Sequence, residues 1–171
     1  MMDSKIYTLM NEQVQKEFYS AYLYLDMANY YADEGLDGFA NWFHVQAQEE
    51  MAHAMLFREY LLFNGQKVSL LPIDAPKGEY AGHDVPLKEA LKHEEFVTAS
   101  IHNIYDAALN AKDFRAVEFL NWFVKEQGEE EKNSADLIRK YELFAGGKMG
   151  LYQLDAELGT RVYTPPSLVL D

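Results

Sequence analysis

The chain contains no cysteine. That excludes disulfides, thiolate metal sites, iron–sulfur clusters and cysteine nucleophiles. Basic residues are scarce: 15 Lys and Arg stand against 28 Asp and Glu, a formal net charge of -13 at pH 7. A surface of that sign disfavours the phosphates of nucleic acid and the anionic face of a membrane. Its natural complements are cations and basic partners. Long apolar runs are missing as well. No stretch approaches the ~18 apolar residues of a membrane span. The opening MMDSKIYTLM lacks the basic start and apolar run of a signal peptide. The cytoplasm is therefore the expected location. Proline is rare, 5 in 171 residues, and four of the five stand outside the helical segments traced below.

What is present is a helical period. Hydrophobic residues make up 49% of the chain, enough for one domain over residues 1–171 with a sizeable core. Four long segments carry apolar residues at steps of three and four: Lys5 to Glu34, Gly38 to Asn64, Val85 to Ala111, and Phe114 to Ala145. Gly35, Gly65 and the pair Gly146-Gly147 mark their ends, and Asp37, Asp84 and Asp113 are candidate N-caps. Pro86 falls in a first turn, where proline is tolerated. A short fifth helix over residues 148–158 is expected from Leu151, Leu154 and Leu158, followed by a non-helical tail over residues 160–171. No strand pattern, repeat or low-complexity tract competes.

Connection lengths set the topology. Two short links make antiparallel helix pairs. The link from Gln66 to Asp84 is far longer, and contains Pro72, Pro76 and Gly78. At ~3.3 Å per residue, roughly 19 residues reach about 60 Å, whereas a helix of roughly 27 residues is about 40 Å long. The link can cross the whole bundle. The expected class is all-α: a four-helix bundle with one long crossover, the ferritin-like arrangement, with a short fifth helix.

The inward stripes are interrupted by acids. They read Met10, Val14, Glu17, Ala21, Tyr24; Phe43, Gln46, Glu50, His53, Phe57; Ala90, Glu94, Val97; and Phe123, Gln127, Glu130, Ser134. All the interruptions fall near helix midpoints, so an antiparallel bundle brings them to one depth. Several carboxylates in a low-dielectric core repel one another and lose hydration. A structural network would supply Lys or Arg, and none stands in the stripes. Bound divalent cations are the better solution. Oxygen ligands with one imidazole suit iron or manganese, and zinc can occupy such a set.

The segments NEQVQKEFYSAYLY, AQEEMAH, KHEE and NWFVKEQGEEEK together resemble the bacterial non-haem ferritins, over most of the chain but not its tail. The resemblance implies an iron storage protein with ferroxidase activity. Glu17, Glu50 and His53 would bind a first iron. Glu50 would bridge to a second, held by Glu94 and Glu130, with Gln127 hydrogen-bonding near the bridging oxygen species. Glu49, Glu126 and Glu129, with Glu130, resemble a third iron site. Tyr24 would donate an electron or hold a ligand, and Trp122 would join it or simply pack. Dioxygen or hydrogen peroxide would be the oxidant, and ferric mineral would fill a hollow shell of twenty-four subunits whose fifth helices meet at fourfold contacts.

Related families fit less well. A bacterioferritin repeats Glu-x-x-His in its fourth helix, where this chain has Gln127-x-x-Glu130. Met51 stands where a haem ligand would, but it reads as packing at a subunit contact, and no haem is expected. A rubrerythrin-like peroxidase needs cysteines for its rubredoxin-type iron. A helical module without catalysis leaves the aligned interior acids unexplained. His44, His83, His93 and His102 read as surface or packing residues.

Overall fold

The computed structural model describes residues 2–170. Its helices are α1 (Ser4–Asp33), α2 (Asp37–Phe63), α3 (Asp84–Asn110), α4 (Phe114–Phe144) and α5 (Lys148–Leu158). The first four form the bundle, with α1 packed on α2 and on α3, and α3 packed on α4. The apolar period explains the arrangement. The traced stripes are buried along all four bundle helices.

Glycine supplies the sharp turns after α1 and α2, at Gly35 (φ +75°) and Gly65 (φ +70°). Between α3 and α4 the left-handed residue is Lys112, φ 55°, so that turn tolerates a Cβ. Asp113 caps α4 as its position predicts, accepting the Ala116 amide at 3.1 Å. Asp37 and Asp84 do not cap; each is the first residue of its own helix.

The crossover runs along α1. Asn11 donates to the Ser69 carbonyl at 2.9 Å and accepts the Ser69 amide at 2.8 Å. Further along, Tyr80 donates to Asp26 at 2.9 Å, and Tyr31 donates to the carbonyl of His83 at 2.5 Å. The chain thus returns to the end where α2 began, and α3 runs parallel to α2. Helix α5 lays Leu154 and Leu158 into the apolar cluster of Leu36, Phe39 and Trp42. Its apolar stripe caps the end of its own bundle.

The core is split. One apolar cluster fills the half holding Ile6, Phe57, Ile101 and Phe119, and a second fills the half holding Tyr31, Phe39, Leu87 and Leu137. A buried polar layer separates them: Gln13, Glu17, Gln46, Glu50, His53, Glu94, Gln127 and Glu130.

Candidate metal centre

Each bundle helix delivers its share of the polar layer by helical spacing. On α1 and α2 the same device recurs, a glutamine one turn before a glutamate on the same face. Gln13 donates to Glu17 Oε1 at 2.8 Å, and Gln46 donates to Glu50 Oε1 at 3.3 Å. Gln46 also donates across the bundle to Glu130 Oε2 at 2.6 Å. His53 follows Glu50 by three residues, and its Nδ1 lies 3.4 Å from Glu50 Oε2. From α3, Glu94 accepts the Tyr24 hydroxyl at Oε1 and the Gln127 amide at Oε2, the latter at 3.1 Å.

Three ligand sets result, each with donor atoms within 4.8 Å of one another: Glu17, Glu50 and His53; Glu50, Glu94 and Glu130; and His53, Glu126 and Glu130. Glu50 is common to the first two, and His53 and Glu130 are each in two as well. All four of Glu17, Glu50, Glu94 and Glu130 are at most 3% exposed. Among the described residues none of them pairs with a Lys or Arg.

Burial therefore sets their chemistry. Loss of hydration pushes all four carboxyls above the ordinary carboxylate range. Repulsion adds to it: from Glu50 on Glu17, from Glu94 on Glu50, and from Glu94 and Glu50 on Glu130. At Glu94 the hydrogen bonds from Tyr24 and Gln127 pull partly the other way. The Tyr24 phenol is raised by burial and then by the neighbouring Glu94, which keeps it a neutral donor. Glu17 Oε2 is buried without a hydrogen-bond partner. A buried acceptor left unpaired costs about 1–3 kcal/mol. A divalent cation would supply what Glu17 Oε2 lacks and offset the repulsion. Hard oxygen donors with one imidazole nitrogen fit such an ion.

The remaining residues with expected roles are placed as follows. Gln127 is buried and spends its amide on Glu94 and, at 3.3 Å, on Thr98 Oγ1. Glu126 is half-buried, its Oε1 3.9 Å from His53 Nε2. Glu129 is exposed and belongs to none of the three sets. Glu49 is also outside them; it forms an ion pair with Arg161 at 2.6 Å. Trp122 packs its ring edge-on against His53, with centroids 5.6 Å apart, and donates to Ser167 Oγ at 3.0 Å.

Gln46 stands in the stripe traced from the sequence. Gln13 does not, although its i, i+4 spacing to Glu17 is a local signal. Arg161 has no local signal: it reaches the layer from beyond α5, 115 residues from Gln46.

Comparison with known proteins agrees with this architecture. A family model described as a ferritin-like domain matches residues 7–144. The bacterial non-heme ferritin of Escherichia coli is 34% identical over 160 residues, covering 94% of this chain and 97% of that protein. A probable bacterial non-heme ferritin-like protein of Haemophilus influenzae is 33% identical over 159 residues, covering 93% and 96%. Among solved structures, the open pore ferritin of Archaeoglobus fulgidus superimposes with a TM-score of 0.92 at 38% identity, covering 95% of this chain and 100% of that one. A humanized archaeal ferritin gives 0.94 at 39% identity, covering 96% and 100%.

Proposed function

Since the chain belongs to the ferritin family, on its bacterial non-haem branch, we propose that it binds Fe(II) at the buried centre, oxidises it to Fe(III), and stores the product as ferric mineral in a homo-oligomeric cage. The observation that carries this reading is Glu50. One fully buried carboxylate is common to two ligand sets, which is what two adjacent metal ions require of a bridge.

Iron is the substrate and cargo here. Glu17, Glu50 and His53 hold one Fe(II), and Glu50, Glu94 and Glu130 hold the other. Two divalent ions offset the four buried carboxylates charge for charge. Because the acids hold their protons tightly, iron entry displaces those protons. The ionised site then favours Fe(III) over Fe(II), since it is preorganised for the higher charge.

Two irons side by side give up one electron each. Dioxygen takes both electrons and two protons and leaves as hydrogen peroxide. Peroxide as oxidant takes two electrons and two protons and leaves as two waters. Neither path releases a one-electron radical. Tyr24 and Gln127 hold both oxygens of Glu94 and so orient it towards its metal.

Exposed apolar side chains support assembly. Tyr22, Met51 and Ile73 line one cleft between α1, α2 and the crossover, and Met149 and Tyr152 face outward from α5. A shell of twenty-four subunits is the arrangement proposed. No helix among the described residues is long and apolar enough to cross a membrane, and the cytoplasm is the proposed site of action.

Anaerobic titration with Fe(II), followed by aeration, tests the chemistry. The native protein is expected to bind two irons tightly per chain and oxidise them rapidly. A double variant Glu50→Ala, Glu130→Ala that oxidised iron at the native rate would sink the site assignment. Sedimentation with metal analysis tests storage separately. A monomer or dimer free of mineral would remove the cage while leaving the oxidation intact.

A further inference from the structure

The segment after α5 turns back over the bundle beside α2 and α4. Its backbone is held independently of the Arg161 side chain. Asn41 Nδ2 donates to the carbonyls of Arg161 at 2.9 Å and Leu158 at 3.3 Å. Further on, Ser167 accepts from Trp122, and Leu168 and Leu170 pack on the apolar cluster of Ile6, Phe57 and Phe119. This strap presents the Arg161 guanidinium to the edge of the metal centre.

The guanidinium is engaged through both terminal nitrogens and one face. Nη2 donates to Glu49 Oε2 at 2.6 Å; Nη1 donates to Gln46 Oε1 at 2.9 Å and to the Trp42 carbonyl at 3.2 Å. Its plane lies over the Trp42 ring, with Cζ 4.5 Å from the centroid. A rigid, always charged fork suits such a combination of carboxylate, amide and aromatic face.

Two consequences follow for the centre. With its carbonyl taken by Arg161, the Gln46 side chain must aim its NH2 group the opposite way. There it donates to Glu130 Oε2 at 2.6 Å and Glu50 Oε1 at 3.3 Å. Glu49, adjacent to Glu50, is the acid that would extend the centre outward. Instead its charge is matched by an internal cation.

We propose that Arg161 is a positioning residue of this centre: it stands in for a third cation at Glu49 and, through Gln46, orients Glu50 and Glu130; with Glu49 taken, the third set of His53, Glu126 and Glu130 has only Glu126 that the first two sets do not use, so that each chain takes two tightly bound divalent cations and not three. This rests on the reading that Glu50 and Glu130 bind metal. A guanidinium and a metal ion compete for the same carboxylate, and the guanidinium is tethered by the strap at high effective concentration.

Titration with Co(II) under argon, followed by calorimetry and by visible absorption, tests it on the intact protein. The native chain is expected to bind two Co(II) tightly. Arg161→Gln is expected to bind three, with new absorption from the third, and Arg161→Gln with Glu49→Gln to return to two. Arg161→Lys restores a cation beside Glu49 and is expected to bind two. A merely structural role would shift the thermal midpoint and leave these numbers alone. The proposal is overturned if Arg161→Gln still binds two, or if the native chain binds three. In both cases the two-metal reading stands. A native chain that binds no Co(II) overturns the proposal together with the reading beneath it.

Discussion

Asp155 of α5 caps α2 from a distance of more than a hundred residues: its Oδ1 accepts the amide of Gly38 at 2.8 Å and that of Phe39 at 3.0 Å. The first amides of α2 are thereby satisfied by a side chain from another helix. The approach is close enough to forbid a Cβ at position 38. An alanine there would sit 1.6 Å from the Asp155 carbonyl oxygen.

Both ends of this contact are therefore expected to be sensitive. Asp155→Ala removes a cap and should cost about 1 kcal/mol. Gly38→Ala forces α5 away, exposes Leu154 and Leu158, and should cost more, on the order of 2–4 kcal/mol. Thermal unfolding of the two variants checks the order. Equal midpoints for Gly38→Ala and the native chain would remove α5 from its docking site.

Tyr24→Phe keeps the ring and deletes the hydroxyl that donates to Glu94 Oε1. A hydrogen bond to a charged group contributes about 1.5–3 kcal/mol. Iron affinity at the set containing Glu94 should fall by roughly tenfold or more, since 1.4 kcal/mol is a factor of ten. Stopped-flow oxidation and anaerobic Fe(II) binding measure this together. If oxidation slows while binding is unchanged, Tyr24 acts on the electrons and not on the ligand.

The buried acids predict an unusual pH dependence in the metal-free protein. Burial first, and mutual repulsion next, raise Glu50 above the 4.5 of an ordinary glutamate. The folded chain then holds a proton that the unfolded chain has released. The contribution of this group to stability is fully present below about pH 4.5 and is lost as pH rises through the folded value. Glu50→Gln cannot ionise. Stripped of metal, it should be more stable than the native chain at neutral pH, and the difference should shrink on acidification.

Glu17 and Glu130 lose the repulsion of Glu50 in the variant, which favours it in the same direction, while the groups away from the centre are common to both proteins. Buried His93, lowered to about 4 by desolvation, acts in the opposite sense: its contribution is lost as pH falls through the range below 6.5. The comparison with Glu50→Gln cancels it. Denaturant unfolding of both chains in chelator, from about pH 5 to pH 8, checks the slope. Parallel curves would mean that Glu50 is ionised in the folded apo-protein.

Much of the site's depth is legible in the linear chain. Glu17, Glu50, His53, Glu94, Gln127 and Glu130 lie on apolar stripes because a side chain's face on a helix follows from its number. The long connection predicts a crossover because its reach exceeds the length of a helix. The cap at Asp113 is readable, since its partner is three residues away. Asp37 looks equally good and fails, because the cap of α2 arrives on α5.

The outer acids mark the boundary most clearly. Glu49, Glu126 and Glu129 are alike in the sequence, three acids beside the stripe. In the fold one pairs with Arg161, one faces His53, and one is exposed. Helical period and link length, both local quantities, determined the bundle, its crossover and an acidic layer at mid-height. The tertiary structure alone decided how that layer is tuned. The strap bearing Arg161 and the helix bearing Asp155 dock by long-range packing, and no spacing rule connects residues more than a hundred positions apart.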